Sequence, residues 1–405
     1  MAKRPARMER LKLSSLFVLL GLIFPALSTI AHAQTGQEKS QARVLSEAEM
    51  LMAGVQANRV DVVVYLLNKG LDPDTIVRNG YTALFVAAAR GHSGMTDLLL
   101  ARGADVNKAN DAGWTALMEA ALHDQDKMVK QLIKAGARLD ISERVNGLTP
   151  LMVAAKGDRT GSVTAMLAAG ADPKAVDSKR GLSALNYALA SAKHSSAEIA
   201  AELIVLGADP EHKAKDGYTP LMSAVDSGKI AKVSLVLSES VKVNAETGDG
   251  RRALTIASGN GHHAMVKHLL GAGAKVDGGS GKLTALTQAI RTGADETVKL
   301  LLDEGANPNR AAADGRLPLM LAARGGYDAI VRQLLDKDAH VNGRNRQDGS
   351  TALMWAANNG HRRVVELLME RGADASLVAK DGWTAAAAAR MAGHEKIANQ
   401  LDRSI

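Results

Sequence analysis

The sequence predicts an all-α repeat solenoid of about eleven helix pairs. Aromatic residues make up only 3% of the 405 residues, which suits a thin core between small helices. Between the repeated motifs, apolar residues follow helical spacing, as in Val364, Val365 and Leu368. A Thr-Ala-Leu or Thr-Pro-Leu type of triplet recurs every 32 to 36 residues, and its ten copies begin at Thr82, Thr115, Thr149, Ser183, Thr219, Arg252, Thr284, Leu317, Thr351 and Thr384.

The N-terminal segment 1–33 has the pattern of a secretory signal peptide. Residues 1–12 carry five basic residues, an apolar run extends from Leu11 to Ile30, and Ala31-His32-Ala33 supplies small residues at the cleavage site. We expect cleavage after Ala33 and a periplasmic or secreted protein. An uncleaved inner-membrane anchor is the alternative, because the run approaches the ~20 residues that span a bilayer.

Charge and cysteine content narrow the possible functions further. The segment 1–33 carries five basic residues and one acid, so the mature chain has a charge of about +3 rather than +7. The chain has no cysteine, which excludes disulfides and thiolate chemistry. Residues 34–44 are polar and aperiodic and are predicted to be a flexible leader, whereas 45–405 are predicted to form one continuous solenoid domain.

Each repeat has the same internal order of residues. A glycine such as Gly80 precedes the triplet and suits the positive φ of a tight turn. An alanine-rich first helix follows, and then a second helix with apolar residues at helical spacing. The second helix ends in Gly-Ala, as at Gly103 and Gly372, where a left-handed residue closes a helix.

These motifs resemble the ankyrin repeat, most clearly in GYTALFVAAARGHSGMTDLLLARGADVN at 80–107 and GSTALMWAANNGHRRVVELLMERGAD at 349–374. The resemblance covers about 45–405, with 46–78 and 382–405 as degenerate end units. It implies helix-turn-helix units with β-hairpin fingers, and a concave face that binds another protein. We further expect a monomer without a cofactor.

The sequence departs from the family pattern in several places. After the Pro-Leu or Ala-Leu pair the family often has histidine, whereas five repeats here have a methionine that predicts an apolar seam between repeats: Met118, Met152, Met222, Met320 and Met354. Ser240 and Asp338 replace the closing glycine, which predicts slight strain. An insertion lies at 190–196, and Gly278-Gly279-Ser280-Gly281 makes one finger glycine-rich, so we expect a flexible joint near 240–283.

No motif points firmly to catalysis, a metal or a nucleotide. His394-Glu395 begins like a zinc-protease helix, but the second ligand position holds Ala398. The run 278–284 resembles a phosphate loop, but Val276 and Leu283 stand at required positions. The histidines at 262, 263 and 268 lack the spacing of a metal site. The fingers balance acids and bases, which disfavours nucleic acid.

The resemblance places partner contacts at the residue after each finger glycine and at the ends of the first helices. The predicted contacts are Tyr81, Arg90, Trp114, His123, Tyr218, Arg251, Arg316, Arg324 and Trp383. Aromatic residues are enriched in protein interfaces, so the four on the fingers carry most of this prediction. Tyr187 and Trp355 share one position inside their helices and are predicted to be core.

The sequence thus favours a non-catalytic adaptor, scaffold or inhibitor that binds a protein or peptide. Two alternatives remain open. One is an envelope enzyme that uses carboxylates on the repeat scaffold, which a deep pocket joining acids of two repeats would favour. The other is a passive structural spacer, which clustered aromatic residues on the fingers disfavour.

Overall fold

The computed structural model describes residues 45–193, 195–280 and 283–404. The predicted signal peptide 1–33 and leader 34–44 lie outside these described residues. The compact domain that contains the repeats begins at Glu47.

The domain consists of short helices in consecutive pairs. The described residues contain eleven pairs, which confirms the predicted all-α repeat solenoid. The pairs are α1 Glu47–Gln56 and α2 Val60–Asn68, α3 Ala83–Arg90 and α4 Ser93–Ala101, α5 Ala116–Leu122 and α6 Asp126–Lys134, α7 Pro150–Gly157 and α8 Thr160–Ala168, α9 Ala184–Ala190 and α10 Ser196–Val205, α11 Pro220–Asp226 and α12 Ile230–Leu237, α13 Ala253–Gly259 and α14 His263–Gly271, α15 Ala285–Arg291 and α16 Asp295–Asp303, α17 Pro318–Gly325 and α18 Asp328–Asp336, α19 Ala352–Asn358 and α20 Arg362–Glu370, and α21 Ala385–Met391 and α22 Glu395–Asp402. A 3-10 turn, Arg78–Gly80, precedes α3. Within the described ranges, every helix is too short or too polar to cross a membrane.

In most repeats the triplet stands at the start of the first helix because its first residue caps the helix. The Thr82 hydroxyl accepts a hydrogen bond from the backbone N–H of Phe85, and Thr115, Thr149 and their equivalents do the same. This bond satisfies one of the backbone donors that a helix start leaves without a partner. Arg252 and Leu317 depart from the triplet, and neither makes this side-chain cap.

The core runs through the stack of first helices. Each first helix packs against its own second helix and against the first helices of neighbouring repeats. Ala87 and Ala88 are fully buried, since only a small side chain fits where two helix layers meet closely. The five methionines in register are all buried, which confirms the predicted apolar seam.

The second helices end where the sequence places a left-handed residue. Gly103 and Gly372 have φ of 87° and 84°. Ser240 and Asp338 occupy the same position with φ of 57° and 63°, a region that costs a residue with a Cβ roughly 1–2 kcal/mol. The strain predicted from the sequence is therefore present at both helix ends.

The fingers between helix pairs are tight turns rather than paired strands. In the fully described fingers a backbone hydrogen bond closes the turn, as from Asp177 N to Leu182 O at 2.9 Å. The expected β-hairpins are reduced to this bond because few residues separate its two partners. Val176 and Ser183 form an isolated bridge, and no longer ladder exists in the described residues. Further backbone bonds tie one finger to the next, as from Arg144 N to Ala112 O at 2.8 Å.

A buried lysine compensates for the insertion at 190–196. After the other first helices a left-handed residue, in most repeats a glycine, turns the chain so that backbone N–H groups cap the helix, as at Gly91 after α3 and Asp158 after α7. After α9 the chain leaves in an extended conformation at Ser191, and no backbone cap forms. Lys232 of α12 replaces the cap: its Nζ donates to the carbonyl oxygens of Ala188, Leu189 and Ser191 at 2.8, 3.2 and 2.5 Å.

Lys232 is buried, and besides these oxygens only the charges of Asp158 and Lys229, among the described residues, act on its amine. It is 1% exposed and stands where α4, α6 and α14 have Met95, Met128 and Met265. Burial lowers the pKa of Lys232 to about 8, so the amine is still largely protonated at neutral pH and all three N–H bonds can be donated. The lysine thus bridges two consecutive repeats through the polar end of α9.

Replacing this lysine tests the cap. Lys232→Met should lower the free energy of unfolding by about 1–3 kcal/mol, because it leaves carbonyl oxygens of α9 buried without a donor. Urea unfolding followed by circular dichroism measures the loss. Lys229→Met, one turn earlier and exposed, is the matched control and should change stability by less than about 0.5 kcal/mol. A Lys232→Met variant as stable as the parent chain would refute the capping role.

Candidate functional site

One face of the solenoid is formed by the fingers together with the side of the first helices that carries their fourth and seventh residues; we call it the groove face. On the first helices from α3 to α21, the fourth and seventh residues are three positions apart and lie on the same side of the helix. The fourth residues are Val86, Glu119, Val153, Tyr187, Ser223, Ile256, Gln288, Leu321, Trp355 and Ala388, and the seventh are Ala89, Leu122, Lys156, Ala190, Asp226, Gly259, Arg291, Arg324, Asn358 and Met391. These positions belong to one surface with the fingers, because Tyr187 and Trp355 both contact finger residues.

The four finger aromatics differ in exposure. Tyr81 is partly exposed, and its ring packs on Phe85 with centroids 4.9 Å apart. Trp114 and Trp383 are also partly exposed and rest against the main core. Tyr218 is 4% exposed and belongs to a small separate core with Leu182, Ala214 and Met222.

Tyr218 lies at the centre of a cluster in which every charge has a partner. The guanidinium groups of Arg180 and Arg251 lie 5.7 and 5.5 Å from its ring centroid. Asp216 lies 3.9 Å from Arg180 and 3.8 Å from Arg251, and Asp249 pairs with Arg251 at 2.9 Å. The Tyr218 hydroxyl donates to the carboxylate of Asp226, and burial raises the pKa of Tyr218. A partner would therefore touch the rim of this cluster and not the ring itself.

A second aromatic cluster centres on Trp355 and remains open to solvent. Arg316 and Arg324 lie 5.1 and 5.4 Å from its ring centroid, and the indole N–H donates to the Ser350 hydroxyl at 3.0 Å. Trp355 rests on the core but is partly exposed, so the prediction that it is simply core describes only one side of the ring. Its position as the fourth residue of α19 is the feature of the sequence that indicates a place for Trp355 on the groove face.

Tyr187 shares that register and likewise lies partly exposed. Lys156 lies 5.6 Å from the Tyr187 ring centroid, and the Tyr187 hydroxyl donates to Asp177 at 3.0 Å. Burial raises the pKa of Tyr187, with the nearby Asp177 adding to the effect. Both residues predicted as core thus contribute an aromatic edge to the groove face.

Two further predicted contacts lie at the ends of first helices. Arg90 is exposed at the end of α3. His123 follows α5, and its Nε2 lies 3.0 Å from a carboxylate oxygen of Glu119, which is 7% exposed. The hydrogen bond with Glu119 raises the pKa of His123. Arg159 lies close enough to oppose that rise in part.

Potential metal-ligating side chains are dispersed over the described residues. No group of three or more metal-ligating side chains comes together within them. The buried acids Glu143 and Asp177 hold finger turns, since each accepts backbone N–H bonds of its own finger. A cleft of about 290 Å³ beside Tyr218 has Asp226 as its one lining acid. This cleft therefore lacks the paired carboxylates that the enzyme alternative invokes.

The fold and the repeated motifs agree with known protein families. The family described as Ankyrin repeats (3 copies) matches residues 50–143, 189–279, 276–345 and 340–402. The description Ankyrin repeat matches residues 146–178. Because these matches cover most of the chain, the chain belongs to the ankyrin-repeat family.

Several curated proteins are similar to parts of the chain. It is 33% identical over 142 residues to Ankyrin repeat and KH domain-containing protein mask-1 of Caenorhabditis elegans, which is 34% of this chain and 5% of that protein. It is 54% identical over 59 residues to Ankyrin repeat and KH domain-containing protein 1 of Homo sapiens, or 15% and 2% of the two chains. It is 30% identical over 176 residues to L-asparaginase of Dirofilaria immitis, or 44% and 29%. The chain therefore spans only a small part of these relatives.

The pair of His123 and Glu119 predicts a pH dependence. Because the pKa of His123 is raised in the folded chain, the pair stabilises the fold fully below the ordinary histidine pKa of about 6.5. This contribution is lost as the pH rises through the folded pKa of His123. In an NMR titration of the imidazole, we expect a midpoint above the ordinary value and its return toward that value in Glu119→Gln. An unchanged midpoint in the variant would show that Glu119 does not raise the pKa.

Proposed function

We propose that this chain is a non-catalytic interaction module that binds a protein or peptide through its groove face. The observation that carries the proposal is the Trp355 cluster, where a partly exposed indole lies between two arginines. Tryptophan and arginine are among the residues that most often dominate binding energy in interfaces. Membership of the ankyrin-repeat family supports the same function, and a passive spacer has no need of such a cluster.

An enzymatic role has less support. The similarity to L-asparaginase extends over 176 residues, and the ankyrin matches cover most of residues 50–402, so much of the similar segment consists of repeats. The buried acids near the groove face have structural partners: Glu143 and Asp177 hold finger turns, and Glu119 pairs with His123. We therefore do not extend the activity in that relative's name to this chain.

The proposed place of action is the periplasm or the exterior, with the chain acting as a monomer. Support comes from the sequence of residues 1–33, with its basic start, apolar run and Ala31-His32-Ala33 ending. We expect intact mass spectrometry of the periplasmic fraction to find a chain that begins at Gln34. A chain that retains Met1 and sediments with the membrane would favour the inner-membrane anchor instead.

Site-specific photo-crosslinking tests the binding face without removing any proposed contact. A photoreactive amino acid at Gln288 or Asn358, both on the groove face, should give covalent adducts with partners in an envelope extract. The same amino acid at Lys130 or Arg332, exposed on second helices, is the matched control and should give none of these adducts. The readout is a mass shift on denaturing gels, followed by peptide mass spectrometry.

Two outcomes would overturn the proposal. Adducts confined to Lys130 and Arg332 would place binding on the second helices. The absence of adducts from all four positions, with correctly folded protein, would favour a passive spacer.

A further inference from the structure

The groove face carries two arginines in register on adjacent repeats. Arg291 of α15 and Arg324 of α17 are the seventh residues of their helices, and both are exposed. The two helices pack directly against each other. Within the described part of the chain, neither guanidinium forms an ion pair with a carboxylate. Two cations thus point to the same side, one repeat apart.

The neighbouring groove positions are apolar or neutral. From α15 to α21 the fourth and seventh residues other than the arginines are Gln288, Leu321, Trp355, Asn358, Ala388 and Met391. None is acidic, whereas earlier repeats have Glu119 and Asp226 at these positions. In the later repeats the fourth and seventh residues of the first helices therefore contribute only positive charge to the groove face.

The two arginines over Trp355 are not equivalent. Arg316 is neutralised by Asp314, with Nη1 3.0 Å from the carboxylate oxygen. Arg324 keeps its charge and lies against the indole, whose orientation Ser350 fixes. An arginine held against a ring loses less side-chain freedom when it binds a carboxylate, because it is already ordered.

We propose that the stretch from Arg291 to Trp355 binds an extended acidic segment of a partner protein. Each carboxylate would pair with one arginine, and an apolar side chain of the segment would lie on Leu321 or Trp355. This inference rests on the proposed binding function of the groove face and adds the chemical class of the partner.

The repeat geometry also sets the spacing of the acids. Packed helices lie about 8–10 Å apart. In the polyproline II conformation a chain rises about 3.1 Å per residue with three residues per turn, so residues three apart lie about 9 Å apart on the same side. The partner segment should therefore carry two acids separated by two other residues.

Paired peptide sets test this directly. One set has peptides of about twelve residues with glutamates three apart in varied neutral flanks, and the matched set has glutamine at both positions. Binding to the full mature chain is measured by fluorescence anisotropy at low and high salt. We expect the best glutamate peptides to bind about tenfold more tightly than their glutamine partners, and to weaken as salt screens the charges.

Two double variants locate the binding. Arg291→Gln with Arg324→Gln should weaken the glutamate peptides about tenfold. Arg332→Gln with Arg363→Gln removes the same charge from exposed positions of α18 and α20 and should change affinity less than about twofold. Circular dichroism should be unchanged in both, since all four side chains are exposed.

Several results would overturn the acidic partner. These are equal affinity for the two peptide sets, equal loss in both double variants, and no binding of either set. If crosslinks still form at Gln288 and Asn358, these results would refute the acidic partner but not the binding function of the groove face. Crosslinks confined to the second helices would instead refute the binding face.

Discussion

Burial of the first helices between neighbouring repeats is the constraint on which the rest of the structure depends. A single pair of helices of seven to ten residues cannot bury its own apolar side, so each repeat completes the core of the next. The chain has no cysteine, and stacking has no disulfide to assist it. Stacking also brings equivalent residues of successive repeats into rows. The groove face exists because side chains of the same register must lie side by side.

Much of the fold follows from the sequence, because the repeat period, the capping triplets and the closing glycines are local signals. The finger turns could not be judged from sequence alone, since the number of cross-finger hydrogen bonds depends on backbone geometry. Lys232 could not be predicted either: it occupies an apolar register, and its three acceptors lie more than forty residues earlier in the chain. The left-handed conformation of Ser240 was predictable because it stands where other repeats have glycine.

The candidate site shows where residue type alone misleads. Tyr218 and Trp355 each lie between two arginines, yet Tyr218 is enclosed by three aspartates and Trp355 is left partly open. A place on a finger predicts Tyr218 as a partner contact, whereas a place inside a helix predicts Trp355 as a core residue. What separates the two clusters is the acids nearby, and these come from different repeats.

The bond between Lys232 and the end of α9 also bears on how such an array can change over generations. Repeat proteins grow and shrink by duplicating or losing whole units, and most boundaries here are joined by apolar contacts and finger hydrogen bonds that recur from repeat to repeat. The insertion at 190–196 and the lysine form a matched pair across one boundary. A recombination event that separated them would leave either carbonyl oxygens without a donor or a buried ammonium group without its three acceptors. We therefore expect these two repeats to be exchanged together, whereas a boundary without such a pair allows one unit to be replaced alone.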